Sequence, residues 1–378
     1  MTGIGETVSW QLPETSTIAP AAEVNRLLDR LRLGTLGSTG TTSFGGRNDN
    51  WAGTTGNGAK VFVKQLPDTG EAVNPGIARS LAFERAAALL EPRGPLASPE
   101  LLGHDEENRL LVFALLDDAK PGIELSVAGE FSEALCFRAG EAIATAHGLD
   151  PAGLDTSPLF FPPLSWLAGL PWEIVQENTS AQLAAWQLLQ DDEEAVHALH
   201  ELRTLEDAAP PVPVHGDLRF DQFIASGERL YLCDWENFRL ADPARDVGAF
   251  IGEWLYHVTY TIFVNPARRD GSRFAGFGAT HQDILDRGMA NLRQAVPRIG
   301  AFWAGYRTRR VPDPHLAVRA MRFAGWHLYD RLIAGAESQL QLNPVAKAAA
   351  GVGRGVLLNP EGAAGLLGLV RPGRGRQA

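Results

Sequence analysis

Along the chain the apolar and polar positions change their period several times, and each change marks an element. Over residues 20–33 (PAAEVNRLLDRLRL), Val24, Leu27, Leu28 and Leu31 fall on one helical stripe. From Gly34 to Gly58 the chain is dense in Gly, Ser, Thr and Asn, which excludes a regular helix and suits hairpins and turns. Alternation resumes at residues 59–66 (AKVFVKQL), which predicts a strand. Residues 77–90 (IARSLAFERAAALL) predict an apolar helix, and 109–116 (RLLVFALL) form a continuous apolar run of strand length. The polar DDAKPG at 117–122 breaks the pattern and predicts a hinge. Beyond residue 130 helical periods dominate. FSEALCFRAGEAIATAHGL predicts one helix and SAQLAAWQLLQDDEEAVHALHEL another, and over 315–335 Ala317, Met321, Ala324, Leu328 and Leu332 share a face. The Pro-rich PPVPV at 210–214 leads into a short β-rich segment that ends near Asp234. The order is a small α/β unit, a hinge, and a larger helical unit carrying a β-rich loop.

With 378 residues the chain is too long for one core and comfortable for two lobes. Hydrophobic residues make up 45% and charged residues 21%, interspersed, so global disorder is not expected. A formal net charge of -11 repels phosphate backbones and argues against nucleic acid as a partner. The two cysteines, Cys136 and Cys233, fit a reducing compartment and exclude a metal site built on thiolates. The N-terminal residues lack the pattern of a secretory signal, and no apolar run is long enough to span a bilayer. A cytoplasmic protein with no membrane partner is expected. The first residues read as a loose arm, and the Gly- and Arg-rich end RPGRGRQA as a disordered tail.

The chemistry concentrates in VHGDLRFDQFIASGERLYLCDWENFRLADPARDVG, residues 214–248. Asp217 follows a His-Gly turn. Asp234 ends the apolar strand Leu230 to Cys233, and a strand ending in Asp aims that carboxylate out of the sheet. A second carboxylate on a loop just upstream can face it across a hairpin, one acid binding a metal while the other orients a hydroxyl nucleophile. HGD, four residues, an amide, a short strand and DWE together resemble the active-site segment of the aminoglycoside phosphotransferase family, within the protein-kinase-like superfamily. The resemblance implies an α+β, bilobal protein-kinase-like fold: an N-terminal arm and helix (1–33), a nucleotide-binding N-lobe (34–118), a mainly helical C-lobe (119–370) and a tail (371–378). It implies ATP and Mg²⁺ as cofactors, Asp217 as the catalytic aspartate, Asp234 as the main metal ligand, His215 holding the loop, and Asp246 receiving backbone N–H groups of that loop. Arg219 would clamp the transferring phosphoryl group. Where the family has Asn as a second metal ligand this chain has Gln222, longer by one methylene, about 1.5 Å. Mg²⁺ wants oxygens at about 2.1 Å in near-ideal octahedral geometry, so either the loop backs away or the second metal site is weakened.

The same resemblance assigns parts in the first lobe. Lys64, on the 59–66 strand with Phe62 on the same face, would bind the α and β phosphates. Glu84, on the following helix with Ile77, Leu81 and Ala88 at helical spacing, would be the ion-pair partner of Lys64, because a buried carboxylate needs one. The loop GGRNDNWAGTTGNG would cover the phosphates, with Gly45, Gly46 and Gly53 allowing close approach and Asn48 and Asn50 offering amides. The backbone of Leu116 and Asp117, at the hinge, would hold the adenine edge.

Three readings of the acceptor follow. The loop HGDLRFDQF, and the late stretch GVGRGVLLNP, are similar to the kinase-like subunits of class V lanthipeptide and thioamitide dehydratases. That resemblance implies phosphorylation of Ser or Thr in a ribosomally made precursor peptide, with a HopA1-like lyase as a possible partner that removes the phosphate. The alternatives are a small-molecule kinase acting on an aminoglycoside, choline or similar hydroxyl compound, and a nucleotide-binding pseudokinase scaffold. His315, Arg319, Arg322 and His327 either line an acceptor site or form a solvated helix face.

Overall fold

A computed structural model describes residues 15–16, 20–37, 41–44, 48–71, 74–90, 94–160, 162–263 and 280–370. The expectations for most of the N-terminal arm, for Gly45 and Gly46, and for the 371–378 tail lie outside these residues. The fold is α+β, a sheet followed by a helical region.

The first lobe holds β1 (Thr15–Ser16), α1 (Ala22–Arg30), β2 (Thr42–Phe44), β3 (Asp49–Thr54), β4 (Lys60–Gln65), α2 (Pro75–Ala87), β5 (Leu101–Asp105) and β6 (Leu110–Ala114). Its strands form one antiparallel sheet in the order β1-β2-β3-β4-β6-β5. Strand alternation gives the sheet two faces. Val61, Val63, Leu110 and Val112 pack with Val24, Leu27 and Leu28 of α1, so this helix shares the core of the lobe and is no appendage to it. Leu66 and Leu111 lie with Ile77 of α2 in a separate cluster. Asn74 starts α2: its Oδ1 accepts the N–H groups of Gly76 and Ile77 at 3.0 and 3.3 Å, and Pro75, with no N–H to satisfy, takes the first helical position.

Beyond the hinge come β7 (Lys120–Pro121), α3 (Gly122–Val127), α4 (Glu133–Ala146), α5 (Leu164–Leu167), α6 (Trp172–Glu177), α7 (Ser180–Gln190) and α8 (Glu193–Asp207). The single helix expected from Ser180 onward is two. Asp192 accepts the N–H of Ala195 at 3.1 Å and restarts the chain as an N-cap, as short acidic side chains do. Then follow β8 (Val212–Val214), β9 (Phe223–Ser226), β10 (Arg229–Leu232) and β11 (Arg239–Ala241). β9 pairs with β10 and β7, and β8 with β11, all antiparallel. The chain closes with α9 (Ala244–Phe263), α10 (His281–Arg309), α11 (Leu316–Gly335), α12 (Pro344–Leu358) and α13 (Pro360–Leu366). Ala317, Met321, Ala324, Leu328 and Leu332 are all buried, as their spacing predicts. α4 and α10 cross with their backbones nearly touching: a Cβ at Gly140 would lie 2.0 Å from the carbonyl oxygen of Phe302, and one at Gly305 the same 2.0 Å from that of Phe137. Among the described residues no helix is long and apolar enough to cross a membrane.

Candidate active site

The β-rich insert places the HGD turn and the DWE segment side by side. Register pairs Arg239 with Val214, so the chain just after DWE runs against the chain just before HGD. Gly216 sits at φ +85°, and a Cβ there would lie 2.8 Å from the carbonyl oxygen of Asn237; the turn admits only glycine. His215, fully buried, reaches the carbonyl of Cys233 through Nε2 at 2.9 Å and packs against Trp235. Beneath the turn, Asp246 accepts the N–H groups of His215 and Gly216 at 2.7 and 3.0 Å and meets Nε2 of His147 at 3.0 Å. Burial works to raise the pKa of Asp246, but His147, His215 and the Gly216 N–H outweigh it and hold the carboxyl below its usual range. Glu253 does the same two turns on along α9. It accepts the Phe220 N–H at 3.1 Å and faces Nε2 of His327 at 2.8 Å. Against burial, Arg331 and His327 draw its pKa down to about 2.

Asp234 lies two residues past β10, in the left-handed region at φ 71°, a conformation Asp tolerates better than most residues. This turn delivers its carboxylate to Lys64. Lys64, 7% exposed on β4, hydrogen-bonds the Asp234 carboxylate and donates to Glu236 at 2.7 Å. Burial alone would lower the pKa of Lys64, but the two carboxylates raise it. Asp234, driven up by burial, is held below its usual range by Lys64, with help from His215 and Arg219. Glu236 goes the other way: burial and the Asp234 charge outweigh Lys64, and its pKa is raised. Asp217 is exposed. Its charge acts on both Glu236 and Arg219, and Asp234 also acts on Arg219, so these groups share one electrostatic neighbourhood.

The N-lobe amides reach the same cleft. Asn50 stands opposite Lys64 in the β3–β4 register. Its Nδ2 donates to the Asn48 carbonyl at 3.0 Å and its buried Oδ1 has no partner among the described residues, while Nδ2 of Asn48 lies 3.4 Å from Glu236. Phe62 is on the Lys64 face of β4, half-buried. At the hinge the backbone N–H and C=O of Leu116 make no hydrogen bond among the described residues. Asp117 is exposed, its carboxylate on Lys60 and its carbonyl accepting from Ser226 at 2.6 Å.

Three expectations are corrected. The Lys64–Glu84 pair does not form: Lys64 turns to Asp234 and Glu236, and burial without a compensating charge pushes Glu84 up to about 7. Gln222 does not present its amide oxygen to a metal. It is 2% exposed, and Oε1 accepts the Arg219 N–H at 2.7 Å across a 3-10 turn. Arg219 itself donates to Asp221 at 3.1 Å. On α11, Arg319 and His327 are neither acceptor-lining nor solvated. Arg319 makes a two-pronged pair with Asp242 at 2.7 and 3.0 Å, and His327 is buried against Glu253. Arg322 pairs with Glu201 at 3.0 Å, which leaves His315 exposed at the helix start. Glu236 carried no assignment from sequence, although it stands in the DWE triplet. Its spacing from Asp234 was the available signal.

The model of the APH phosphotransferase enzyme family matches residues 42–284. No curated protein matches the chain in sequence. Among solved structures, an amicoumacin kinase in complex with AMP-PNP, Ca²⁺ and Ami is 14% identical, with a TM-score of 0.51 over 90% of this chain and 94% of that one. A glucosamine kinase is 16% identical, with a TM-score of 0.50 over 89% and 84%. A choline/ethanolamine kinase family protein from Mesorhizobium loti is 18% identical, with a TM-score of 0.49 over 87% and 92%.

Proposed function

The chain belongs to the phosphotransferase enzyme family, and from that premise we propose that it transfers the γ-phosphoryl group of ATP to a Ser or Thr hydroxyl of a ribosomally made precursor peptide. The observation that carries phosphotransfer is Lys64 reaching Asp234 and Glu236 beside an exposed Asp217 and Arg219. Five charges on one cleft suit a reaction catalysed mainly by positioning and charge neutralisation.

Each group has a task in that reading. Lys64 and Arg219 hold the triphosphate oxygens. Asp234 and Glu236 would hold Mg²⁺. The donor set fits: both side chains offer hard carboxylate oxygens, and Mg²⁺ is usually held by one or two carboxylates together with substrate phosphates. Mg²⁺, when bound, neutralises charge on the triphosphate. Asp217 orients the acceptor hydroxyl and accepts its proton, help worth about 10²–10⁴ in rate. The unbonded hinge amide of Leu116 takes the adenine edge. Lys64 starts from an inhibitory position, clasped by the two carboxylates that the metal needs.

The peptide acceptor rests on the loop HGDLRFDQF and the stretch GVGRGVLLNP, which are similar to the kinase-like subunits of class V lanthipeptide and thioamitide dehydratases. A HopA1-like lyase is its proposed partner. The amicoumacin and glucosamine kinases share the fold and favour a small-molecule acceptor as the second reading. Incubation with ATP and Mg²⁺ against a Ser/Thr peptide from the neighbouring gene, an aminoglycoside, choline and glucosamine, read by mass spectrometry, decides between them. Phosphate on the peptide is expected. Phosphate on a small alcohol alone overturns the peptide acceptor, and ATP left intact with every acceptor points to the pseudokinase scaffold.

A further inference from the structure

Gln222 stands where the family resemblance places an Asn that ligates a second metal ion. Of its amide, only the oxygen could serve a metal, because the nitrogen is a donor and nothing else. That oxygen is already in use. Oε1 accepts the Arg219 N–H at 2.7 Å across the 3-10 turn Phe220–Gln222. The amide cannot simply be turned over, since a reversed Gln222 would set one N–H against another. Its other end is therefore Nε2. Gln222 is 2% exposed, and Nε2 is buried with no hydrogen-bond partner among the described residues. A second donor of the same loop, Nε of Arg219, is likewise buried and unpartnered among them. Buried donors without acceptors are uncommon, and each one calls for a reason. The loop also lies against the acid assigned to the metal. The Gln222 carbonyl accepts the N–H of Cys233 at 3.0 Å and its thiol at 3.2 Å, and Asp234 is the next residue. The charge of Arg219 interacts with both Asp217 and Asp234. Beside the metal-binding acid, then, Gln222 offers a donor where a second Mg²⁺ needs an oxygen, and Arg219 already brings positive charge.

We infer that the protein works with a single divalent cation per nucleotide, and that Arg219 and Nε2 of Gln222 serve in place of a second one by donating to triphosphate oxygens. Phosphate oxygens are acceptors only, so they complete both orphaned donors, and the guanidinium supplies charge as well as hydrogen bonds. The bond between Gln222 and the Arg219 backbone then has a purpose beyond bracing the turn. It fixes which end of the amide is left over, and with it the kind of ligand the loop accepts. This inference rests on the phosphotransferase reading, and it is the same whether the acceptor is a peptide or a small alcohol.

The test counts metal ions rather than turnover. The full chain is held with one equivalent of the non-hydrolysable ATP analogue AMP-PNP, Mn²⁺ is titrated in as a stand-in for Mg²⁺, and the free ion is followed by its electron paramagnetic resonance signal. The wild type should bind one Mn²⁺ per nucleotide. Gln222→Glu has the same length and shape; it keeps one oxygen on the Arg219 N–H and puts a second oxygen where Nε2 was. That variant should bind two. Two ions in the wild type overturn the inference, and this count decides even if the variant fails to fold. A folded Gln222→Glu that still binds one ion also overturns it, because Nε2 would then not be what keeps the second ion out. Absence of any nucleotide-linked Mn²⁺ from the wild type would remove the phosphotransferase reading itself, and this inference with it.

Discussion

Two groups of sequestered acids flank the HGD turn, and their surroundings treat them in opposite ways. Asp246 and Glu253, under the turn, are both buried and fully partnered, by backbone N–H groups and by His147 and His327. Both titrate below their usual range. On the cleft side Glu236 is pushed up and Asp234 stays low because of one lysine, while Glu84, on α2, rises to about 7 by burial alone. The acids below are finished structure. Those above are short of positive charge, and a cleft that is short of positive charge is prepared for a cation and its ligand.

The sharpest way to break this contrast is Asp217→Asn. It should cut turnover by about 10²–10⁴ while leaving the unfolding midpoint and nucleotide binding unchanged, because Asp217 is exposed and its side chain makes no hydrogen bond or ion pair among the described residues. ADP release with the identified acceptor measures it, and normal turnover would remove Asp217 from the reaction. On the other side, Asp246→Ala leaves His147 and two N–H groups buried without an acceptor. A loss of about 3–5 kcal/mol is expected in denaturant unfolding. A loss under about 1 kcal/mol would show that the scaffold does not depend on it.

Glu84 gives the smallest effect and the most specific one. Its folded pKa is raised, so between its ordinary 4.5 and about 7 the folded state binds the extra proton, and stability falls as pH rises through that window. Glu84→Gln should abolish that fall. The variant should melt about 2–4 °C above the wild type at pH 8.5 and no higher than it at pH 5. A constant offset across pH would mean that Glu84 is charged in the folded protein after all.

Much of this site was legible in the chain. HGD and DWE sit at a fixed spacing on one hairpin, and strand alternation alone puts Lys64 on the face that looks into the cleft. What escaped was partner choice. Helix α2 is apolar nearly all round, so its pattern could not say which way Glu84 points. Lys64 had closer carboxylates that only the left-handed turn at Asp234 brings near. Gln222 satisfies the Arg219 N–H three residues away, a local bond that competes with any ligand. Arg319 and His327 read as surface charges because their anions, Asp242 and Glu253, lie 77 and 74 residues off in sequence. The break at Asp191 and Asp192 was visible as an acidic pair, but periodicity carried across it.

Trp235 follows Asp234 directly, and its ring lies flat on Phe83 of α2 at 3.7 Å with 6° between the planes. The first-lobe helix is thereby bolted to the loop that carries the principal acid. The stack therefore ties the position of Asp234 to that of α2, so the charges of the mouth and the seat of the first-lobe helix are set together.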